Sequence, residues 1–228
     1  MESIILQNLL LGPSLTWLPQ IIYVCLLLFA ATLYLKQKFY PVLRLFGLSW
    51  KKLIAGTIIF QIIYASIITW AQYYIWSKNE FTNILLNSPL DKETLSPILQ
   101  FFFPLFDHRF GYFVFYVLGR FWLEVFIIWM LAALFYFLLR LLNSYRLDFL
   151  EPEEILLGLG LALIVGWPNF VIFIPLMCLT AVSASLIRLI IWKEQHTYIA
   201  WPMIVAAAVT MFFGAEFLVL LNLTTLKI

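Results

Sequence analysis

Ionisable side chains are scarce in this chain, so the few that interrupt apolar sequence are the first candidates for chemistry. Four acidic residues, Asp148, Glu151, Glu153 and Glu154, crowd the start of a short apolar run. A carboxylate at the edge of an apolar medium can donate or accept protons at a pKa that burial adjusts. The same placement also serves a plainer purpose, because carboxylates at a helix start cap free N–H groups and meet the positive end of the dipole. Arg120 and Glu124 stand four residues apart inside a long apolar stretch, a spacing that puts both on one face of a helix. Such a pair either neutralises itself and fixes helix packing, or contacts a substrate or partner. An unpaired charge at the bilayer centre costs about 3 kcal/mol on insertion scales. Arg188, near the end of another apolar run, suits snorkelling to the headgroups. Glu216 lies within the last run and faces a partner helix or a wet cleft.

The elements that must position these residues follow from composition. Of 228 residues, 64% are hydrophobic and 11% charged, under half the roughly 25% charge of a soluble domain. Repeated apolar runs of about 20 residues predict an all-α polytopic membrane protein. We read residues 1–228 as a single integral membrane domain with about six transmembrane helices, at about 17–35, 53–76, 112–142, 155–166, 170–192 and 199–221. The fourth is short, begins behind the acidic cluster and runs into Gly166-Trp167-Pro168-Asn169. Irregular backbone at membrane depth must be buried in protein or line a wet cavity, because lipid cannot satisfy its polar groups.

Residues 3–18, broken by Gly12-Pro13, predict an interfacial lead-in, and a start without a basic n-region argues against a cleaved signal peptide. Lys36, Lys38, Arg44, Lys51 and Lys52 crowd one short loop, which the positive-inside rule assigns to the cytoplasm. Both termini then lie outside, and nine of the fourteen Lys and Arg residues fall on or beside the cytoplasmic face. Residues 77–111 form the longest polar connection, and its second half, Pro97 to Phe106, is apolar enough to lie on the outer bilayer surface.

Several chemistries are excluded. A net charge of +2, with the basic residues in membrane-flanking loops, gives no nucleic-acid footprint. His108 and His196 fall on opposite membrane faces, and no Cys/His ligand spacing occurs, so no metal is expected. No phosphate-binding glycine loop occurs, and no cofactor is expected; Gly158-Leu159-Gly160 suits close helix packing instead. Cys25 and Cys178 lie within apolar spans, where a disulfide is not expected.

The stretch from Glu151 to Pro202 resembles the prepilin leader peptidases, six-helix aspartic endopeptidases of bacterial inner membranes that process type IV pilins. In that family a Gly-x-Gly-Asp-x-Lys motif opens a short helix, and a Leu-Gly-Trp-type turn, a full span and a Pro-Phe-Gly-Pro helix start follow. Here Glu154 stands at the motif aspartate, Gly166-Trp167-Pro168-Asn169 resembles the turn, and Ile199-Ala200-Trp201-Pro202 resembles the helix start. Upstream, Leu35-Lys36 and Pro41 resemble the segment of the first catalytic aspartate, whose position holds Tyr34. The resemblance covers about residues 20–216 and implies a multi-pass protein of the bacterial cytoplasmic membrane. Gly-x-Gly is replaced by Glu151-Pro152-Glu153, the lysine by Leu156 and both aspartates by Tyr34 and Glu154. It therefore implies a catalytically degenerate relative, a pseudoenzyme whose partners are the lipid bilayer and pilin-like or other membrane helices.

Two other readings compete. Leu11-Gly12-Pro13, Leu147-Asp148-Phe149-Leu150 and Arg188 resemble pieces of the prolipoprotein diacylglyceryl transferases, lipid-modifying enzymes whose His-Gly-Gly and Gly-Arg-x-Gly-Asn motifs are absent here. A structural subunit of a larger membrane complex needs no active site. Topology is testable at once. Single-cysteine labelling should place residues 36–52 and 193–197 in the cytoplasm and 78–111 outside; a cytoplasmic 78–111 loop would overturn the arrangement.

Overall fold

In a computed structural model the described residues are 13–39, 49–91, 100–101, 103–145, 150–191, 193 and 199–226; they form helices and turns, with no strand among them. Several expected features lie outside the described residues: the lead-in before Pro13, most of the basic loop, Pro97, Arg146, Asp148 and most of the 193–197 hairpin. Among the described residues seven α-helices follow in order: α1 (Pro13–Phe39), α2 (Trp50–Lys78), α3 (Glu80–Leu86), α4 (Gly111–Tyr145), α5 (Pro152–Val165), α6 (Phe170–Ile191) and α7 (Ala200–Leu220).

Five of the seven are long and apolar enough to cross a membrane: the Trp17–Leu35 part of α1, with α2, α4, α6 and α7. These are the lengths of a multi-pass membrane protein. At 35 residues, α4 is about 52 Å long, so it must tilt or protrude. The remaining expected span is α5, whose 14 residues reach only about 21 Å against a hydrocarbon core of about 30 Å. It also starts earlier than its apolar run, at Pro152, because Pro is preorganised for the first helical position and Glu151 serves as the N-cap.

The chain sorts into two compact units, one centred on Gln61–Phe126, the other on Trp17–Phe60 with Ile127–Lys227. In the second unit α5 is the central element. Ten of its 14 residues are buried, whereas at most 39% of the apolar core of any membrane-length helix is buried. A helix apolar on every side belongs inside protein, and α5 packs in a cluster with Ala30, Leu53, Phe135, Phe173, Met203 and Ala207. Its two glycines allow close approach. A Cβ on Gly158 would stand 2.5 Å from Leu139 Cδ1, and one on Gly160 would stand 3.1 Å from Leu53 Cδ2.

α5 stops at Gly166, whose φ of 68° and ψ of 176° lie in a region that only glycine occupies without strain. The turn is then held from both sides. The Trp167 indole N–H donates to the Leu226 carbonyl at 2.9 Å, and the Asn169 side chain sits so close to Gly214 that a Cβ there would meet Asn169 Oδ1 at 2.7 Å.

The first unit is organised by aromatics. Trp76 packs edge-on against Phe113 at 5.4 Å and in a tilted pair with Tyr116 at 4.9 Å, and the Trp122 indole N–H donates to the Thr69 hydroxyl at 3.2 Å. The short α3, absent from the sequence expectation, starts where the Asn79 side chain accepts from the Phe81 N–H at 3.0 Å.

Two glycines separate backbone strain from packing. Gly166→Ala has room, with Ile128 3.5 Å away, so its cost is the dihedral strain, about 1–3 kcal/mol. Gly56, with nothing within 4 Å, should accept alanine with no loss or a gain of up to about 1 kcal/mol. Thermal unfolding in detergent should therefore drop for Gly166→Ala and hold or rise for Gly56→Ala; the same response in both would refute this account of the turn.

Candidate functional site

The α5 start is the most constrained polar locus among the described residues. The Glu151 N–H would be left over at the helix N-terminus, and the Glu154 side chain folds back so that its Oε2 accepts from that N–H at 3.2 Å. This is the Glu154 half of a capping box. Glu154 Oε1 accepts from the Ala200 N–H at 3.1 Å. Ala200 is the first residue of α7, a helix with no side-chain cap of its own, and the Ile199 N–H also stabilises the carboxylate. One side chain thus caps two helix starts, and both dipoles favour its charge.

Neighbouring residues lower the demand for donors and acceptors. Pro202 has no N–H to satisfy, and the Met203 N–H donates to Ile199 O at 3.0 Å. The Thr180 hydroxyl on α6 lies within bonding reach of Leu176 O at 2.8 Å and of Pro202 O at 3.1 Å.

Glu154 is 2% exposed. Burial holds its pKa above the ordinary carboxylate value, opposed by the N–H groups of Ala200, Glu151 and Ile199 and assisted by the nearby Glu151 charge. Its acidic neighbours Glu151 and Glu153 are exposed, and no cluster of three or more His, Cys, Asp or Glu side chains able to hold a metal occurs among the described residues. Tyr34, 2% exposed on α1, is buried in the same core cluster as Ile155 and Ala200. Glu154 and Tyr34 therefore both belong to the buried interior of the second unit.

The other charged positions are dispersed. Arg120 and Glu124 fall in the first unit, and the Arg120 charge acts on Glu124. The helix that carries them is not α-helical throughout. Leu118–Trp122 is a π-helical turn, closed by the Leu123 N–H on Leu118 O, and it presents Arg120 exposed with Glu124 half-buried one turn later. π turns of this kind often sit at functional sites. Tyr64 on α2 is also within electrostatic reach of Glu124; sequence reasoning passed over it because a tyrosine in an aromatic-rich span carries no distinguishing signal. Arg188 is half-buried on α6 and Glu216 exposed on α7, both in the second unit. Ala200, the chief partner of Glu154, was equally invisible, since a backbone N–H has no sequence signature.

Comparison with known protein families, curated proteins and solved structures finds no match for this chain. The site therefore stands on its own geometry, and that geometry is a cap. Its arrangement provides one carboxyl, engaged at both oxygens by backbone N–H groups.

Because the folded-state pKa of Glu154 is raised, folding favours its protonated form. The stabilisation is complete below the unfolded carboxyl value, about 4.3, and is lost as pH rises through the higher folded value. The difference in melting temperature between wild type and Glu154→Gln should therefore shift steadily against wild type from about pH 4 towards neutrality. Parallel curves for the two proteins would contradict the raised pKa.

Proposed function

We propose that this chain is a non-catalytic, prepilin-peptidase-like protein of the bacterial cytoplasmic membrane that binds other membrane helices, pilin-like signal helices among them. The observation that carries the reading is the engagement of Glu154 by the Glu151 and Ala200 N–H groups. Aspartic peptidase chemistry requires two carboxyls that share a proton, so that one accepts from water while the other protonates the leaving group. At the two positions resembling the family's aspartates the chain supplies a carboxyl committed to helix capping and a phenol. A tyrosine with a reference pKa near 10 is not a general base at neutral pH. The half-length, buried α5 and its Gly-Trp-Pro-Asn turn support the architectural part of the resemblance.

Helix binding suits the lipid-length surfaces. Glu216 is exposed four residues before the end of α7, among Phe212 (65%), Phe213 (50%) and Val219 (62%). A carboxylate in that setting gives a partner helix a polar anchor. Purified protein incubated with a prepilin should leave the leader uncleaved while crosslinking to its signal helix. Cleavage that is lost in Glu154→Gln and kept in Tyr34→Phe would overturn the non-catalytic reading.

A further inference from the structure

The connection between α2 and α4 presents apolar side chains outside every membrane-length helix. α3 begins at Glu80, two residues after the last residue of α2, and its inner side is held fast. Leu86, 2% exposed, packs with Trp76, Phe113 and Val117. The Arg109 Nε–H donates to Asn87 Oδ1 at 2.9 Å, and the Tyr112 N–H donates to Ser88 O at 3.2 Å. On the outward side Phe81 is 72% exposed and Ile84 68% exposed. Three residues apart on a helix, they lie on one face.

We propose that α3 is an interfacial foot, with Phe81 and Ile84 inserted into the phospholipid bilayer at the face where α2 ends and α4 begins. Three observations select lipid as the occupant over a protein partner. The last turns of α2 carry Trp70, Tyr73 and Tyr74, with the Lys78 ammonium 5.4 Å from the Tyr74 ring centroid, the residue types of a membrane–water boundary. Only one residue, Asn79, separates that boundary from α3, so the chain advances no more than about 7 Å before α3 begins. The bond from Tyr112 to Ser88 and the packing of Leu86 on Phe113 clamp the connection to the first turn of α4. Both neighbouring helices also expose large apolar side chains, Trp70 and Tyr73 on α2 and Leu118 on α4.

Charge gives the lipid class. Among the described residues, the exposed ionisable groups in this connection are Lys78, Glu80, Asp91, Asp107, His108 and Arg109, two cations and three anions with one histidine. A surface of mixed sign has no polybasic attraction to anionic headgroups, so the foot engages neutral phosphatidylcholine as well as anionic lipid. Its grip is the burial of apolar area.

The test uses the full chain in phosphatidylcholine vesicles. In a Cys25→Ser, Cys178→Ser background, nitroxide labels are placed at Phe81→Cys and Ile84→Cys, with Asp107→Cys as the aqueous reference. Collision rates with oxygen and with a water-soluble nickel chelate are then measured by electron paramagnetic resonance. Positions 81 and 84 should show an oxygen-to-nickel ratio several-fold above that at 107, unchanged when anionic phosphatidylglycerol is added. Nickel access at 81 and 84 equal to that at 107 would overturn the proposal by placing α3 in water. Low access to both reagents would overturn it by showing a protein-covered face. A ratio that rises only with phosphatidylglycerol would overturn the assigned lipid class.

Discussion

The Glu154 carboxylate is the interaction on which the second unit depends. A helix start leaves N–H groups without partners, and at α5 and α7 two such starts share one buried side chain. A carboxyl that an apolar interior otherwise excludes is tolerated there because backbone N–H donors engage both of its oxygens. Removing it leaves buried N–H groups at both ends, and a buried unsatisfied donor costs about 1–3 kcal/mol.

That junction matters because α5 cannot stand alone. At 14 residues it is too short to cross a bilayer, and with apolar residues on every side it has no polar face to offer water. It is stable only when wrapped, and Gly158 and Gly160 let Leu139, Phe135 and Leu53 close on it. Its two ends are built differently, each from chemistry suited to the task. Carboxylates and Pro152 start it, while a left-handed glycine and a turn pinned by Trp167 and Asn169 stop it.

The first unit uses another currency. Rings from α2 and α4 meet around Trp76, edge-on with Phe113 and tilted with Tyr116, and an indole-to-hydroxyl bond joins Trp122 to Thr69. Aromatic pairs add about 0.5–1.5 kcal/mol each beyond area burial. The Trp122 bond to Thr69 starts within the π turn that carries Arg120, a geometry in which the backbone bond runs over five residues rather than four.

The amino-acid sequence by itself determined the all-helical class and, to within a few residues, the positions of the five membrane-length helices among the described residues. Those features rest on apolar run length and on Pro and Gly chemistry, which act locally. It also marked Glu154 as both a capping carboxylate and a site candidate, and could not choose. Only tertiary structure shows the second cap that it makes, because that partner is the Ala200 backbone N–H, 46 residues away. The same limit hid α3, whose seven residues form a helix too short to be stable without the packing of Leu86 on Trp76 and Phe113. It hid the π turn as well, since Arg120 and Glu124 have the spacing of an ordinary α-helical pair and nothing in their types reports the extra residue per turn. Local chemistry wrote the elements, and long-range contact decided what their polar groups do.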